Sequence, residues 1–263
     1  MRDVLKRKAI LAAMAGICDG EFCFRAAKAG AGMVTLGGLN FDRETVMAGK
    51  AVKLRGRTEF EVEVEEIEDF LIKEVRRALE GGAPVAVNAR ATSLEGIMFA
   101  GEVVSKSGAV ALEIDAHCRQ PEIMAVGAGQ ALLKRLDELS EWITRLKDSF
   151  DIKVILKWRG NVVDDLNVAR IAEKAGVDAI HVDAMKEGVN CGDLDLIRKI
   201  SKSVNVFLIG NNSIRDVESA IEMIKAGADA VSIARAAMKD PTIVGRIALG
   251  IEEWQRKEKN GKI

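Results

Sequence analysis

The octapeptide GADAVSIA, residues 227–234, carries the pattern that decides the fold. Its glycine suits the C-terminal cap of a helix, because glycine readily adopts positive φ, and an apolar run that favours a strand follows it. The pattern recurs in GAGMVTLG from Gly30, GAVALEID from Gly108 and GVDAIHVD from Gly176. Helices that end at glycine and lead into buried strands are typical of repeated βα units around a parallel sheet.

Eight apolar runs of this kind are predicted to be strands, each followed by a helix-like stretch such as Ala131 to Phe150. They are Lys8–Ala15, Met33–Gly37, Pro84–Ala89, Val110–Asp115, Lys153–Trp158, Ala179–Asp183, Asn205–Ile209 and Ala230–Ala234. Eight βα units in 263 residues predict an α/β fold, a closed (β/α)₈ TIM barrel that forms a single domain over residues 1–263.

One stretch, residues 40–66, interrupts this repeat after the second strand. Phe60, Val62 and Val64 alternate there with glutamates, and a period of two is typical of a half-exposed strand. We therefore predict a β-rich insertion, a hairpin or edge ribbon, and favour a solvated ribbon over a lid.

The composition excludes several classes of protein. Hydrophobic residues make up 48% and charged residues 30%, which is a globular balance. Lys and Arg number 39 against 40 Asp and Glu, so no overall basic field attracts nucleic acid or anionic lipid, although a local basic patch stays open. The apolar run Ala9 to Ile17 is too short to cross a bilayer. Four cysteines without a CxxC pair fit reduced thiols, so we expect a cytoplasmic protein.

Reactive groups of such barrels lie at the C-terminal ends of the strands, and the loops after strands seven and eight commonly bind phosphate. Gly210, Asn211 and Asn212 follow the seventh strand and Arg235 follows the eighth. Small residues let backbone N–H groups approach an anion, so a phosphate is the ligand that these loops predict. The alternative is that Asn211 to Ser213 only cap the next helix.

Three further side chains at the strand ends are candidates for chemistry. Lys157 is the penultimate residue of the apolar run KVILKW, where it should meet an anion or an electron-rich ligand unless it extends into solvent. His181 could bind a heterocycle or a core partner. Cys118 could be a nucleophile, a neutral proton donor or a buried thiol. Cys18, Cys118, Cys191 and His117 have no recognised metal-ligand spacing, so we expect no metal site.

Taken in order, several motifs resemble those of the tRNA-dihydrouridine synthase family, which is grouped with dihydroorotate dehydrogenase among FMN-binding barrels. AAMAGICDGEF from Ala12 is similar to APMAGVTDxPF, and EIDAHC from Glu113 to DINxGC. VILKWRG, IHVD, IGNNSI and IARAAMKDP follow in the family's order. The resemblance covers nearly the whole barrel.

The resemblance implies a non-covalent FMN and a role for each matching residue. The phosphate would be held around Gly210, Asn211, Asn212, Ala234 and Arg235, and the ring would contact Met14, Ala15, Asn88, Lys157 and His181. Cys118 falls on the family's catalytic cysteine, which protonates one carbon of a C=C bond while reduced flavin delivers hydride to the other.

Departures from the family's motifs concentrate on the part of the pattern that concerns the substrate rather than the flavin. His117 replaces a glycine, Arg119 a proline and Asp115 an asparagine, whereas Asn212 and Ser213 replace Gly-Asp. The chain ends after the eighth unit, so we expect no C-terminal helical domain that binds tRNA.

These observations lead to an FMN-dependent oxidoreductase that acts on a C–C double bond of a small substrate. The alternatives are activity on tRNA, a lyase or isomerase for a phosphorylated metabolite with Lys157 as a Schiff base, and a non-enzymatic sensor. Substrate, electron donor and oligomeric state are not specified by the sequence.

Overall fold

Eight parallel strands close into a barrel in a computed structural model that describes residues 1–261. The strands are β1 (Ala9–Leu11), β2 (Met33–Asn40), β3 (Val85–Arg90), β4 (Ala111–Ala116), β5 (Lys153–Arg159), β6 (Ala179–Asp183), β7 (Phe207–Asn211) and β8 (Ala230–Ile233). Each strand pairs with the next, and β8 returns to β1 with Ser232 opposite Ile10. The predicted TIM barrel is confirmed, and every predicted strand overlaps an observed one.

Helices connect the strands on the outside of the barrel. They are α1 (Gly20–Lys28), α2 (Arg43–Leu54), α3 (Ile67–Leu79), α4 (Leu94–Ser107), α5 (Pro121–Ala125), α6 (Leu136–Ser149), α7 (Asp165–Lys174), α8 (Leu194–Ser203), α9 (Val217–Lys225) and α10 (Ile243–Lys259). Gly108 ends α4 at φ 85°, the conformation that its repeated pattern predicts. None of the helices within residues 1–261 combines the length and apolar composition that a bilayer crossing requires.

Apolar side chains fill the lower part of the barrel and form its floor. One inward residue from each strand belongs to this cluster, together with Met1: Ile10, Met33, Ala86, Ala111, Ile155, Ala179, Ile209 and Ala230. Side chains alternate along a strand, so the residue two positions later points inward as well, one layer nearer the C-terminal mouth. The identity of that second layer decides what the barrel can bind.

The predicted hairpin or edge ribbon at residues 40–66 is wrong. Helix α2 occupies its first part, and residues 55–66, here named the return segment, run back along α2 and end in a 3₁₀ helix, Val64–Glu66. Three ion pairs fasten the return segment to α2: Arg43–Glu65 (3.3 Å), Lys50–Glu63 (2.6 Å) and Lys53–Glu61 (2.7 Å). The acidic residues of this alternation pair with basic side chains of α2, so the return segment packs against a helix and not against a partner strand.

Candidate functional site

Polar side chains make up the second inward layer, directly above the apolar floor. It contains Asn88 of β3, Glu113 of β4, Lys157 of β5, His181 of β6 and Ser232 of β8. All five are buried, with Glu113 and His181 each 1% exposed. Because buried polar groups are costly unless they pair with one another, such a layer must form a connected network.

Glu113 is the centre of this network. Its Oε1 accepts a hydrogen bond from Asn88 Nδ2 at 2.8 Å and lies 3.5 Å from Lys157 Nζ. Its Oε2 lies 2.6 Å from His181 Nδ1. One carboxylate therefore joins three of the residues that the sequence assigns to the cofactor.

Charge within the network fixes its protonation. Burial alone would raise the pKa of the Glu113 carboxyl, but the positive charge of Lys157 and the hydrogen bonds of His181 and Asn88 hold it well below its usual range. Burial lowers the pKa of His181, although Glu113 opposes this shift. We conclude that Glu113 is ionised and His181 neutral at pH 7.

These protonation states give the hydrogen bonds a direction. An ionised Glu113 must accept from the Nδ1–H of His181, so Nε2 carries no proton and accepts from Ser232 Oγ at 2.6 Å. Ser232 Oγ in turn accepts from Asn211 Nδ2. An ordered chain of donors therefore leads from the end of β7 into the centre of the barrel.

A second polar cluster lies at the mouth around Asp183, the last residue of β6. Its Oδ2 lies 2.7 Å from His117 Nε2, and its Oδ1 accepts from Asn212 Nδ2 at 2.7 Å. Burial would raise the pKa of Asp183, but these two bonds and the charge of Arg159 lower it overall. Both oxygens of this carboxylate are thereby engaged.

The loop after β7 has an unusual backbone. Asn212 and Ser213 adopt φ values of 103° and 56°, a region that favours glycine. Helix α9, which follows, is capped by Asp216 and not by Asn211 to Ser213. Capping therefore does not explain these three residues, and the alternative interpretation of them is excluded.

A cavity of about 880 Å³ opens at the mouth between the loops that follow β4 to β8 and β1. This volume lies in the range of small-molecule and cofactor sites. Lys157 lies on its wall near the buried network. Asn211, Asn212, Ala234 and Arg235 line the side formed by the loops after β7 and β8. Five of the eleven predicted site residues thus share one cavity.

The other predicted residues lie around this cavity rather than on its lining. Asn88 and His181 are buried in the polar layer, and Met14 and Ala15 are half-buried in the loop after β1. Gly210 has a packing role, since a Cβ atom there would approach Met223 Cγ to 2.6 Å. Within residues 1–261, no group of three or more His, Cys, Asp or Glu side chains is placed to hold a metal ion.

Cys118 lies on the β3 side of the mouth beside a buried ion pair. Its Sγ is 3.8 Å from Nη1 of Arg90, and Arg90 binds both carboxylate oxygens of Glu59 at 2.6 and 3.1 Å. Burial, followed by the negative charge of Asp115, raises the pKa of the Cys118 thiol to about 11, while Arg90 opposes this shift. The thiol is protonated at neutral pH and can act as a proton donor.

Three members of the site were not identified from the sequence. Glu113 and Ser232 lie inside apolar strands. Each is two positions before a strand-end residue, Asp115 or Ala234, and therefore points to the same side of its strand, which is the signal that the sequence offers. Glu59 was assigned to a solvated ribbon, yet it is buried against Arg90. No local pattern marks Glu59, because its partner is 31 residues away.

The Glu59→Gln substitution tests how the ion pair controls Cys118. Glu59 raises the thiol pKa and Arg90 lowers it, so removal of the carboxylate charge should lower the pKa of Cys118. The rate of iodoacetamide alkylation against pH measures this shift in a Cys191→Ser background, because Cys191 is the exposed cysteine. Glu61→Gln on the same segment is the matched control. An unmoved or upward-shifted profile would contradict the assignment.

Comparison with known proteins identifies the family. A family model described as dihydrouridine synthase (Dus) matches residues 71–260. The chain belongs to the dihydrouridine synthase family. Dihydrouridine synthase family enzymes are flavin-dependent oxidoreductases that act on CH–CH groups, and the prediction of an enzyme of this type is confirmed.

Individual relatives in the dihydrouridine synthase family lie at modest identity. An uncharacterized protein of Methanocaldococcus jannaschii is 36% identical over 242 residues, which cover 89% of this chain and 91% of that protein. The tRNA-dihydrouridine synthase B of Proteus vulgaris is 27% identical over 92% of this chain and 71% of its own length. A probable tRNA-dihydrouridine synthase of Rhizobium leguminosarum bv. phaseoli is 25% identical, with 97% and 75% covered.

Solved structures share the barrel of this dihydrouridine synthase family member. A thiamine phosphate pyrophosphorylase from Pyrococcus furiosus matches with a TM-score of 0.58 at 14% identity, over 94% of this chain and 96% of that one. A FabK mutant from Thermotoga maritima matches with a TM-score of 0.56 at 19% identity, over 88% of this chain. The chain spans 62% of the FabK chain. At these identities the likeness concerns the fold alone.

Proposed function

We propose that this chain binds FMN in the cavity at the barrel mouth and uses it to reduce or oxidise a C–C double bond of a small substrate. The observation that carries the proposal is Lys157, a 4% exposed cation that reaches the cavity wall from the polar layer. A buried ammonium at the base of a ligand cavity favours an electron-rich ligand.

The residues around the cavity fit FMN. The loops after β7 and β8 offer backbone N–H groups and the Arg235 guanidinium, which match a phosphate. Within residues 1–261, the Arg235 side chain has no hydrogen-bond or ion-pair partner. Lys157 supplies a donor toward a heterocycle from the cavity wall. The volume of about 880 Å³ leaves room for a small substrate beside the cofactor.

Bound FMN would supply the two-electron hydride chemistry of the family. Lys157 contributes positive charge, which favours the more electron-rich reduced cofactor. Cys118 holds a proton at Sγ and donates it to the carbon that does not receive the hydride. Within the same layer Glu113 pairs with Lys157 and is itself held by Asn88 and His181.

The proposal is tested by purification with saturating FMN followed by gel filtration and visible spectroscopy. Retention of yellow flavin at about one FMN per chain is expected from the fit of the cavity. A colourless protein that cannot be reconstituted would overturn the proposed function.

Arg235→Gln tests the phosphate side of the cavity. Loss of one charge-assisted contact to a phosphate should weaken FMN binding about tenfold. Fluorescence quenching of FMN on titration with protein measures the Kd, and Arg76→Gln on the exposed face of α3 serves as the control. Equal affinities in the two variants would remove Arg235 from the site.

Activity on tRNA is the second candidate. It is favoured by the relatives named tRNA-dihydrouridine synthase, whereas the near-neutral charge of 39 basic and 40 acidic residues offers little general attraction for RNA. Incubation of reduced, FMN-loaded protein with an unmodified tRNA transcript, followed by analysis of its nucleosides for dihydrouridine, decides between the two substrates. Dihydrouridine formation would replace the small substrate by tRNA.

A further inference from the structure

The cavity at the mouth carries more positive charge than a single phosphate requires. Six basic side chains and two acidic ones line it. Arg119, Arg159 and Lys157 lie on the side of β4 and β5, across the mouth from the loops after β7 and β8. Lys157 is already paired with Glu113, so a phosphate bound at Arg235 would leave Arg119 and Arg159 without an ion-pair partner among residues 1–261.

Arg119 and Arg159 both line the cavity, Arg119 as an exposed side chain and Arg159 as a half-buried one. In the part of the chain that the structure describes, neither guanidinium forms a hydrogen bond or an ion pair. The nearby carboxylate of Asp183 is already engaged by His117 and Asn212. Burial, and then the positive charge of Arg119, lower the pKa of Arg159, while the negative charges of Asp183 and Glu187 oppose this shift. Two arginine side chains at a cavity wall that have no hydrogen-bonded partner in the described residues offer N–H donors to an anionic ligand.

The position of Arg119 ties this site to the thiol. Arg119 directly follows Cys118, so the two side chains start from neighbouring positions of the loop after β4. Arginine binds a carboxylate through two parallel hydrogen bonds, which orients a planar acid. A carboxylate conjugated to a C=C bond therefore suits this pair of arginines.

The return segment forms part of the wall of the mouth on the β1 and β3 side. Glu59 and Arg90 form their buried ion pair on the β3 side. Gly16, in the loop after β1, lies so close that a Cβ atom there would be 2.5 Å from the Glu59 backbone nitrogen. The return segment is thus packed against the mouth, and its other glutamates are paired with α2.

We propose that Arg119 and Arg159 bind the carboxylate of a small α,β-unsaturated acid, which is the substrate of this enzyme. The inference rests on the proposed function, since it places the acid beside the FMN cavity. The site itself consists of protein side chains alone and can be measured without the cofactor.

Calorimetric titration with crotonate, a small α,β-unsaturated carboxylate, tests the site in both FMN-free and FMN-loaded protein. Crotonate should bind to the wild type, and its neutral analogue crotonamide should not. Arg119→Gln and Arg159→Gln should each raise the Kd for crotonate at least tenfold. Arg119→Lys keeps the positive charge but not the paired N–H donors of the guanidinium, so it should give an intermediate Kd. Arg76→Gln is the control for lost charge, and circular dichroism verifies that each variant is folded.

Two further ligands separate the sources of the anion. Inorganic phosphate that binds where crotonate does not would overturn the carboxylate assignment. An unmodified tRNA transcript that displaces crotonate in an Arg119-dependent manner would overturn the small-molecule assignment. Absence of crotonate binding, or binding unchanged in both arginine variants, would overturn the site. Failure to retain FMN with intact crotonate binding would instead refute the proposed function and leave the anion site in place.

Discussion

The Lys157→Met variant is expected to lose about 3–5 kcal/mol of its free energy of unfolding at pH 7. The methionine keeps the volume of the side chain but leaves Glu113, 1% exposed, without the charge that holds it ionised. Urea unfolding followed by circular dichroism measures the difference. Lys153→Met is the matched control, because Lys153 begins the same strand and its side chain is about one-third exposed.

The pH dependence of this variant has a defined sign. In the wild type the pKa of Glu113 lies below its unfolded value, so its contribution is present above about pH 4.3 and is lost as the pH falls. Without Lys157, burial dominates and raises the pKa of Glu113, so stability should fall as the pH rises. The deficit should therefore be larger at pH 8 than at pH 5. The double variant Lys157→Met with Glu113→Gln should recover part of it, and a deficit independent of pH would argue against an ionised Glu113.

Cys118→Ala is expected to slow proton transfer to the substrate by about 10²- to 10⁴-fold while FMN binding stays unchanged. The reason is that Cys118, with a thiol pKa raised to about 11, holds the proposed transferable proton beside the site. The measurement is a single-turnover reaction of dithionite-reduced, FMN-loaded protein with its unsaturated substrate, followed by the return of oxidised flavin absorbance.

Two variants control the Cys118 measurement. Cys191→Ala removes an exposed thiol and should react at the wild-type rate. Cys118→Ser keeps a hydroxyl in place of the thiol and should lie between wild type and alanine. A Cys118→Ala variant that reoxidises at the full rate would show that another group supplies the proton.

The strands could be predicted from the sequence because their apolar runs are continuous. The run from Val110 to Asp115 overlaps β4 at Ala111–Ala116, since a strand buried on both faces needs apolar residues at nearly every position. The prediction for residues 40–66 failed because a period of two indicates only that one face of the segment is buried and the other exposed. It does not indicate whether a strand or a helix covers the buried face. Here Phe60 packs against Phe70 of α3.

The sequence identifies only those site residues that lie near the ends of predicted strands. Strand ends gave Lys157, His181 and Cys118, because barrel geometry directs them to one mouth. The network around Glu113 depends on which strands are neighbours and on the register that sets Asn88 opposite Glu113. Glu59 reaches Arg90 through the course of the return segment. Such pairings arise from the closed fold and leave no local trace in the sequence.

The backbone at Asn212 has a consequence for protein engineering. Glycine would adopt φ 103° at little cost, so a search for heat-resistant variants would select it at this position. Glycine lacks the side-chain amide of Asn212, however, and within residues 1–261 the Asp183 carboxylate would then keep only its hydrogen bond to His117. Improved thermal tolerance and a firmly oriented Asp183 are therefore competing demands on one residue.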